Sequence, residues 1–256
     1  MFTAEGRNEL DAAIMDGATL LAGAVAGLRR TRNPISLARA IMELSPHVML
    51  IGELAEVFGQ EHGIERIDAG YFFTENRWHA LEKFLAVREL PIPPQPIHHP
   101  ATADAKAGLA HEEGAQGTIG AVACDIRGNV AVATSTGGMT GKRWGRFGDS
   151  PIIGAGTYAS NASCAVSGTG TGEYFIRLGV AHKICALVEL KGLSLLAAID
   201  RVVQKDLRAL GGDDTGGVIA VAPDGTLAWS FNTEGMYRAR ASAAMPLTVG
   251  LYADDP

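Results

Sequence analysis

Cysteine is scarce: the chain has three, Cys124, Cys164 and Cys185, with no C-x-x-C pair among them. An odd, scattered set argues against a disulfide framework or a structural zinc site and fits a reducing compartment, the cytoplasm. No run reaches the roughly 18 apolar residues that a membrane-crossing helix needs. The opening Met1-Phe2-Thr3-Ala4-Glu5-Gly6-Arg7 has no apolar signal core. The sequon Asn161-Ala162-Ser163 is then without a role, because glycosylation requires secretion. A basic surplus is missing too: 22 Lys+Arg stand against 28 Asp+Glu, a net charge of −6. The basic cluster at Arg29, Arg30 and Arg32 is too short to change that balance, which argues against a nucleic-acid binder. Neither a G-x-S-x-G elbow nor an H-E-x-x-H pair occurs.

Glycine, by contrast, is abundant: 32 of 256 residues, concentrated in 114–172 and 211–217 without periodicity. Tight turns and close backbone approaches are expected there. With 47% hydrophobic and 20% charged residues, the chain reads as an ordinary globular protein with a sizeable core.

The first third reads as short, Gly-punctuated strands over 10–15 and 22–28, followed by helices. Asn33-Pro34 has the form of an N-cap with proline at the first helical position, and Leu37, Ile41 and Leu44 follow at helical spacing. A second helix is expected over 52–61. Pro91, Pro93, Pro94, Pro96 and Pro100 then mark a linker of about 88–117. Beyond it, 118–126 and 130–136 read as a hairpin around Arg127-Gly128-Asn129. Helices are expected over 173–190 and along Leu196, Ile199, Val203, Leu207 and Leu210. A second hairpin turns at Pro223-Asp224-Gly225. Strands and helices in separate blocks imply layered α+β packing.

His98, His99, His111 and Asp104 match no standard metal-ligand spacing, and a solvated polar segment is the preferred reading. Gly168-Thr169-Gly170-Thr171-Gly172 precedes a helix and could cradle an anion there. It lacks both the P-loop lysine and the dinucleotide spacing, so a plain strand-to-helix turn stays open. The most informative stretch is Gly117-Thr118. Threonine is a weak nucleophile unless a base adjoins it. A free α-amine on the same residue, with an ordinary pKa of about 7.7–8.0, is such a base. That requires a backbone cut after Gly117. In an in-phase hairpin, Thr136 shares a face with Thr118 and sets a second hydroxyl beside it. From spacing alone, two ordinary strand threonines remain an alternative.

Gly117-Thr118-Ile119-Gly120-Ala121-Val122-Ala123 and Thr134-Ser135-Thr136-Gly137-Gly138 resemble the plant-type (type 2) asparaginase/isoaspartyl peptidase family. So do Met139 to Lys142, Gly145 to Pro151, Gly168 to Glu173, Phe231 to Arg238, Asp11 to Gly17 and Ser45 to Met49. The resemblance implies an N-terminal nucleophile hydrolase folded as a four-layer αββα sandwich in one structural domain. It implies autocatalytic scission between Gly117 and Thr118, residues 1–117 forming an α part and 118–256 a β part, and a dimerised α/β pair. Thr118 would attack L-asparagine or a β-aspartyl dipeptide, with Thr136 assisting and Thr169 and Gly170 forming the oxyanion hole. Arg146 would hold the substrate α-carboxylate and Asp149 the α-ammonium. Phe147, Gly148, Thr171 and Gly172 would complete the substrate loop. No metal or organic cofactor is implied for the chemistry, and no nucleic-acid or membrane partner.

Two departures accompany the resemblance. The family's first strand, its H-G-G-A-G loop, its first helix and its sodium-holding loop have no counterpart before Phe2, so no sodium site is claimed. Arg143-Trp144 stands before Gly145, where an aromatic would narrow the pocket. Two further readings follow: a glycosylasparaginase-like enzyme, disfavoured by Gly117 and the missing signal, and a shortened, non-catalytic binding or assembly subunit.

Overall fold

The computed structural model describes residues 1–96 and 117–255. The chain is mixed α/β. Strands β1 (Leu10–Asp16), β2 (Ala22–Leu28), β3 (Met49–Ile51), β4 (Ile119–Cys124) and β5 (Val130–Thr136) form one sheet in the order β3-β2-β1-β5-β4. Strands β6 (Thr157–Ala159), β7 (Ala165–Gly170), β8 (Gly216–Val221) and β9 (Leu227–Phe231) form a second, in chain order. A separate hairpin joins β10 (Arg238–Ser242) and β11 (Met245–Gly250).

Helix α1 (Pro34–Leu44) starts where Asn33-Pro34 predicts: the Asn33 side chain accepts from Ser36 N at 3.4 Å, and Pro34 needs no partner for a donor it lacks. Its stripe of Leu37, Ala38 and Ile41 packs with Ala55 of α2 (Gly52–Glu61) on Ala12, Val25 and Leu28 of the first sheet. Between the sheets lies a second core, in which Met15, Ala22, Val130 and Val132 meet Ala159, Ala165 and Val221. The largest core covers the far side of the second sheet. There Val166, Val218, Ala220 and Ala228 meet Phe175, Ile184, Ile199 and Leu207.

That helical layer differs from its expected form in two places. The predicted helix over 173–190 is two, α4 (Gly172–Leu178) and α5 (Val180–Lys191), broken at Gly179 with φ 59°. The stripe after 195 passes from α6 (Leu195–Asp200) through a π-helical segment, Arg201–Leu207, into α7 (Arg208–Gly211). Ile199, Val203 and Leu207 of the expected stripe are buried and are joined by Leu195 and Val202, whereas Leu196 is 53% exposed.

Helix α3 (Glu75–Val87) was not legible as an element, although Trp78, Leu81 and Leu85 supply its buried face. They pack on Phe2 in a small core of their own, with the two rings edge-to-face at 5.3 Å. Both hairpins form where expected. In the first, Asp125 Oδ1 accepts from Arg127 N and Asn129 N at 2.8 and 2.9 Å, and Gly128 turns at φ 81°. The linker segment carrying His98, His99, Asp104 and His111 lies outside the described residues. Among the described residues, no helix is long and apolar enough to cross a membrane.

Candidate active site

The β4–β5 register sets Ile119 opposite Ser135 and Gly120 opposite Thr134. One step further sets Thr118 opposite Thr136. Directly opposed residues of an antiparallel pair share a face, and the hydroxyls meet: Thr118 Oγ1 donates to Thr136 Oγ1 at 3.2 Å. Thr136 is 6% exposed, and its oxygen also accepts from Gly138 N at 3.1 Å. Thr118 is half-buried at the start of an outermost strand, so it is reachable from solvent.

Behind this pair the sheets are joined by hydroxyls. Thr134 Oγ1 and Ser167 Oγ, one from each sheet, lie 2.7 Å apart and buried. Gly120 admits Ser167, whose Oγ would collide with any Cβ at that position. The β7 strand that carries Ser167 thereby comes up against β4, and its last residues are Thr169 and Gly170.

Thr169 and Gly170 are not in a loop. They pair with Gly217 and Gly216 of β8. Gly170 and Gly216 approach so closely that a Cβ on Gly170 would strike the Thr215 carbonyl and the Phe175 ring. Asn232 holds the opposite wall: its Oδ1 accepts from Thr215 N, Thr215 Oγ1 and Gly216 N, each at 3.0 Å. The strand-to-helix turn left open for 168–172 is what forms: β7 ends at Gly170 and α4 starts at Gly172, a seven-residue helix with the acidic Glu173 in its first turn. Thr171 is tied back by its N–H to Thr215 O at 2.9 Å.

Arg146 stands beside the hydroxyl pair across Gly138. Its Nη1 lies 3.6 Å from where a Gly138 Cβ would be and 3.4 Å from the same point on Gly148. Glu173 takes the other edge of the guanidinium in a bidentate pair, Nε–Oε1 and Nη2–Oε2 both at 2.9 Å. That pair fixes the plane of the guanidinium and turns Nη1 toward the two glycines. Sequence reasoning gave Glu173 no role. Neighbouring Phe147 is 39% exposed, and Trp144 is 94% exposed, so the aromatic expected to narrow the pocket turns outward.

Asp149 is enclosed by Gly156, Gly168 and Gly172, whose absent side chains leave room for its carboxylate. The residue is 4% exposed, and Oδ2 has no hydrogen-bond partner. Burial raises its pKa from 3.8 to about 7; a backbone hydrogen bond and Arg146 lower it, and Glu173 raises it. A buried carboxylate with an open oxygen, next to a guanidinium with an open edge, is complementary to a molecule carrying an ammonium and a carboxylate on one carbon.

A buried ionic cluster adjoins the site, and sequence reasoning also missed it. Lys142 Nζ lies 3.5 Å from Glu9 Oε2 and 3.6 Å from Asp11 Oδ2. Glu9 is held in turn by Arg29 at 2.9 Å, and Asp11 accepts from Gly27 N at 2.9 Å. Among the described residues no group of three or more His, Cys, Asp or Glu could hold a metal ion.

The chain matches the family described as Asparaginase over residues 1–250. It is 50% identical over 252 residues to an isoaspartyl peptidase of Escherichia coli (strain K12), covering 98% of this chain and 74% of that one. It is 44% identical over 254 residues to a putative isoaspartyl peptidase/L-asparaginase of Dictyostelium discoideum, covering 93% and 72%. A plant-type L-asparaginase of Pyrococcus abyssi (strain GE5 / Orsay) is 39% identical over 239 residues, covering 92% and 73%.

Proposed function

This chain belongs to the asparaginase family, and we propose that it hydrolyses L-asparagine to aspartate and ammonia and cleaves β-aspartyl dipeptides, with Thr118 as nucleophile. One observation carries the reading: the 3.2 Å hydrogen bond between the Thr118 and Thr136 hydroxyls, at the solvent-reachable start of an outermost strand.

Thr118 acts twice. In the precursor its Oγ attacks the Gly117 carbonyl carbon, the C–N bond breaks as the Oγ proton passes to nitrogen, and the Thr118 amine is freed. Water then hydrolyses the ester, releasing the Gly117 carboxylate and restoring the Thr118 hydroxyl. In the mature enzyme the amine accepts the Oγ proton as the oxygen attacks the substrate's side-chain carbonyl. The ammonium then returns the proton to the departing ammonia or amino group, and water releases aspartate from the ester on Thr118. Thr136 steadies the Thr118 oxygen in both charge states. Thr169 and Gly170 supply the oxyanion donors, a contribution worth about 10²–10³ in kcat per donor in other hydrolases.

Arg146 binds the substrate α-carboxylate through its Nη1 edge, and Asp149 binds the α-ammonium. Phe147, Gly148, Thr171 and Gly172 shape the walls. Free asparagine and a β-aspartyl dipeptide share the head group that these residues read, so one site serves both.

Residues 1–117 and 118–256 form the two parts of one domain, a four-layer αββα sandwich, and the α/β pair dimerises. The sandwich is supported by three successive cores: helix on sheet, sheet on sheet, sheet on helix. A reducing, cytoplasmic setting belongs to the same proposal and rests on the odd, scattered set of cysteines in the sequence. The test is intact mass beside ammonia release. The expected result is two fragments, the second beginning at Thr118, and turnover that Thr118→Ala abolishes. An uncut chain that turns over β-aspartyl dipeptides overturns the amine-base mechanism.

A further inference from the structure

Strand β1 lies between β2 and β5, and its register with β5 sets Asp11 opposite Thr136. Thr136 is itself opposite Thr118. Residues directly opposed across antiparallel strands present their side chains on one face. Asp11, Thr136 and Thr118 therefore form a row across three strands, running from a fully buried carboxylate to the solvent-reachable nucleophile.

Lys142 closes the buried end of the row. Its side chain is 1% exposed, and Nζ sits 3.6 Å from Asp11 and 3.5 Å from Glu9. It reaches them by crossing Gly138: Cδ and Nζ pass 3.2 and 3.3 Å from the point that a Gly138 Cβ would occupy. Gly138 has φ 76°, and its N–H is the one that donates to Thr136 Oγ1. Lys142 is held at its backbone too, where its carbonyl accepts from Ala4 N at 2.9 Å. The side chain is thus stretched over the turn that supplies the Thr136 hydrogen bond and is anchored at both ends.

We propose that Lys142, clamped by Asp11 and Glu9, is a positioning residue that fixes the Gly138 N–H on Thr136 and so aims the Thr136 hydroxyl at the nucleophile. This rests on the reading of Thr118 as nucleophile. A hydroxyl has one proton and two lone pairs. With one lone pair committed to Gly138, Thr136 keeps one lone pair and one proton for Thr118. It accepts while Thr118 holds its proton and donates once that proton has passed to the amine. A Thr136 hydroxyl free to rotate would meet only a fraction of the Thr118 oxygens in the correct sense. The clamp acts on the transition state and makes no contact with substrate, so its loss lowers kcat and leaves KM.

The test compares Asp11→Asn, Lys142→Met and the double variant with wild type and Thr118→Ala. Readouts are the thermal midpoint, the fraction cut at 117/118 by intact mass, and kcat and KM per cut chain. Asp11→Asn keeps the shape and the acceptor for Gly27 N–H while removing the charge. The expected result is a kcat reduced about tenfold or more, with KM within about threefold. Lys142→Met alone strands the buried Asp11 carboxylate, leaves Glu9 with Arg29 only, and is expected to melt early. The double variant removes Asp11's charge with its partner and is expected to recover a midpoint within about 5 °C of wild type. Its kcat stays low, or its chain stays uncut, because the same Thr118 oxygen performs both steps. Wild-type cutting and kcat in the double variant, or in Asp11→Asn if the others do not fold, would overturn the proposal and leave the cluster merely structural. So would a raised KM with unchanged kcat. Turnover surviving in Thr118→Ala sinks the nucleophile itself. A silent Thr118→Ala beside fully active charge variants sinks only the clamp.

Discussion

Two strand pairs meet at the candidate site, and they build it by opposite means. On β4 and β5 it is made of functional groups: Thr118 bonded to Thr136, with Asp11 and Lys142 aligned behind them. On β7 and β8 it is made of missing ones: Gly170 faces Gly216, Thr169 faces Gly217, and bare backbone forms the wall. The first side is vulnerable to losing an atom and the second to gaining one. Substitutions on the two sides should therefore produce different defects.

The sharpest way to expose that difference is Thr118→Ala on the hydroxyl side. It should abolish scission and turnover together, a loss of more than about 10³-fold, read by intact mass and ammonia release. On the glycine side, Gly170→Ala adds a single methyl against the Thr215 carbonyl and Phe175. The expected outcome is a chain that is still cut at 117/118 but has kcat lowered about 100-fold, because the oxyanion donors shift. A Gly170→Ala protein that is neither cut nor active would merge the two sides into one.

Asp149 sharpens the contrast through pH. Its native pKa is about 7 against an ordinary 3.8, so the folded chain binds its proton more tightly than the unfolded chain does. Its contribution to stability is therefore full below pH 3.8 and is lost as pH rises through about 7. Function runs the other way, since only the ionised carboxylate can hold an ammonium. Wild-type kcat/KM should rise through about pH 7, and Asp149→Asn should weaken binding and remove that limb. A thermal midpoint that climbs between pH 5 and 8 as strongly in wild type as in Asp149→Asn would count against it. The smallest effect is expected from Asn232→Ala, which removes five hydrogen bonds behind Gly216, three onto Oδ1 and two from Nδ2 to Val203 O and Thr215 Oγ1. A midpoint lower by roughly 4–10 °C, with Thr118 scission intact, is the outcome to look for by calorimetry.

Much of this was legible in the sequence because it is local. The Asn33-Pro34 start of α1, the bounds of α2 and both hairpins follow from caps, spacing and turn residues. The facing of Thr118 and Thr136 needed only hairpin arithmetic. The strand-to-helix turn at 168–172 was legible, between β7 ending at Gly170 and α4 starting at Gly172, but the closeness of Gly170 to Gly216 was not, because β8 lies 46 residues further along the chain. Leu196 was placed on the wrong face because the buried row recurs at every fourth residue, Leu195, Ile199, Val203 and Leu207, and Leu196 falls one position outside it. Glu173, Lys142, Glu9 and Asp11 stayed silent for a different reason. Their partners lie 27, 133 and 131 residues away, separations that become contacts only when the strand order is known.

The strand order has one more consequence. Scission before Thr118 would leave β1, β2 and β3 in one fragment and β4 and β5 in the other, yet all five belong to a single sheet. The seam between the fragments is the β1–β5 ladder, six residue pairs from Asp11↔Thr136 to Asp16↔Ala131. The halves would be zipped together through their interiors, not docked at their surfaces, so neither has a finished fold to retreat to. Expressed from separate genes, they should complement each other only when they meet as unfolded chains.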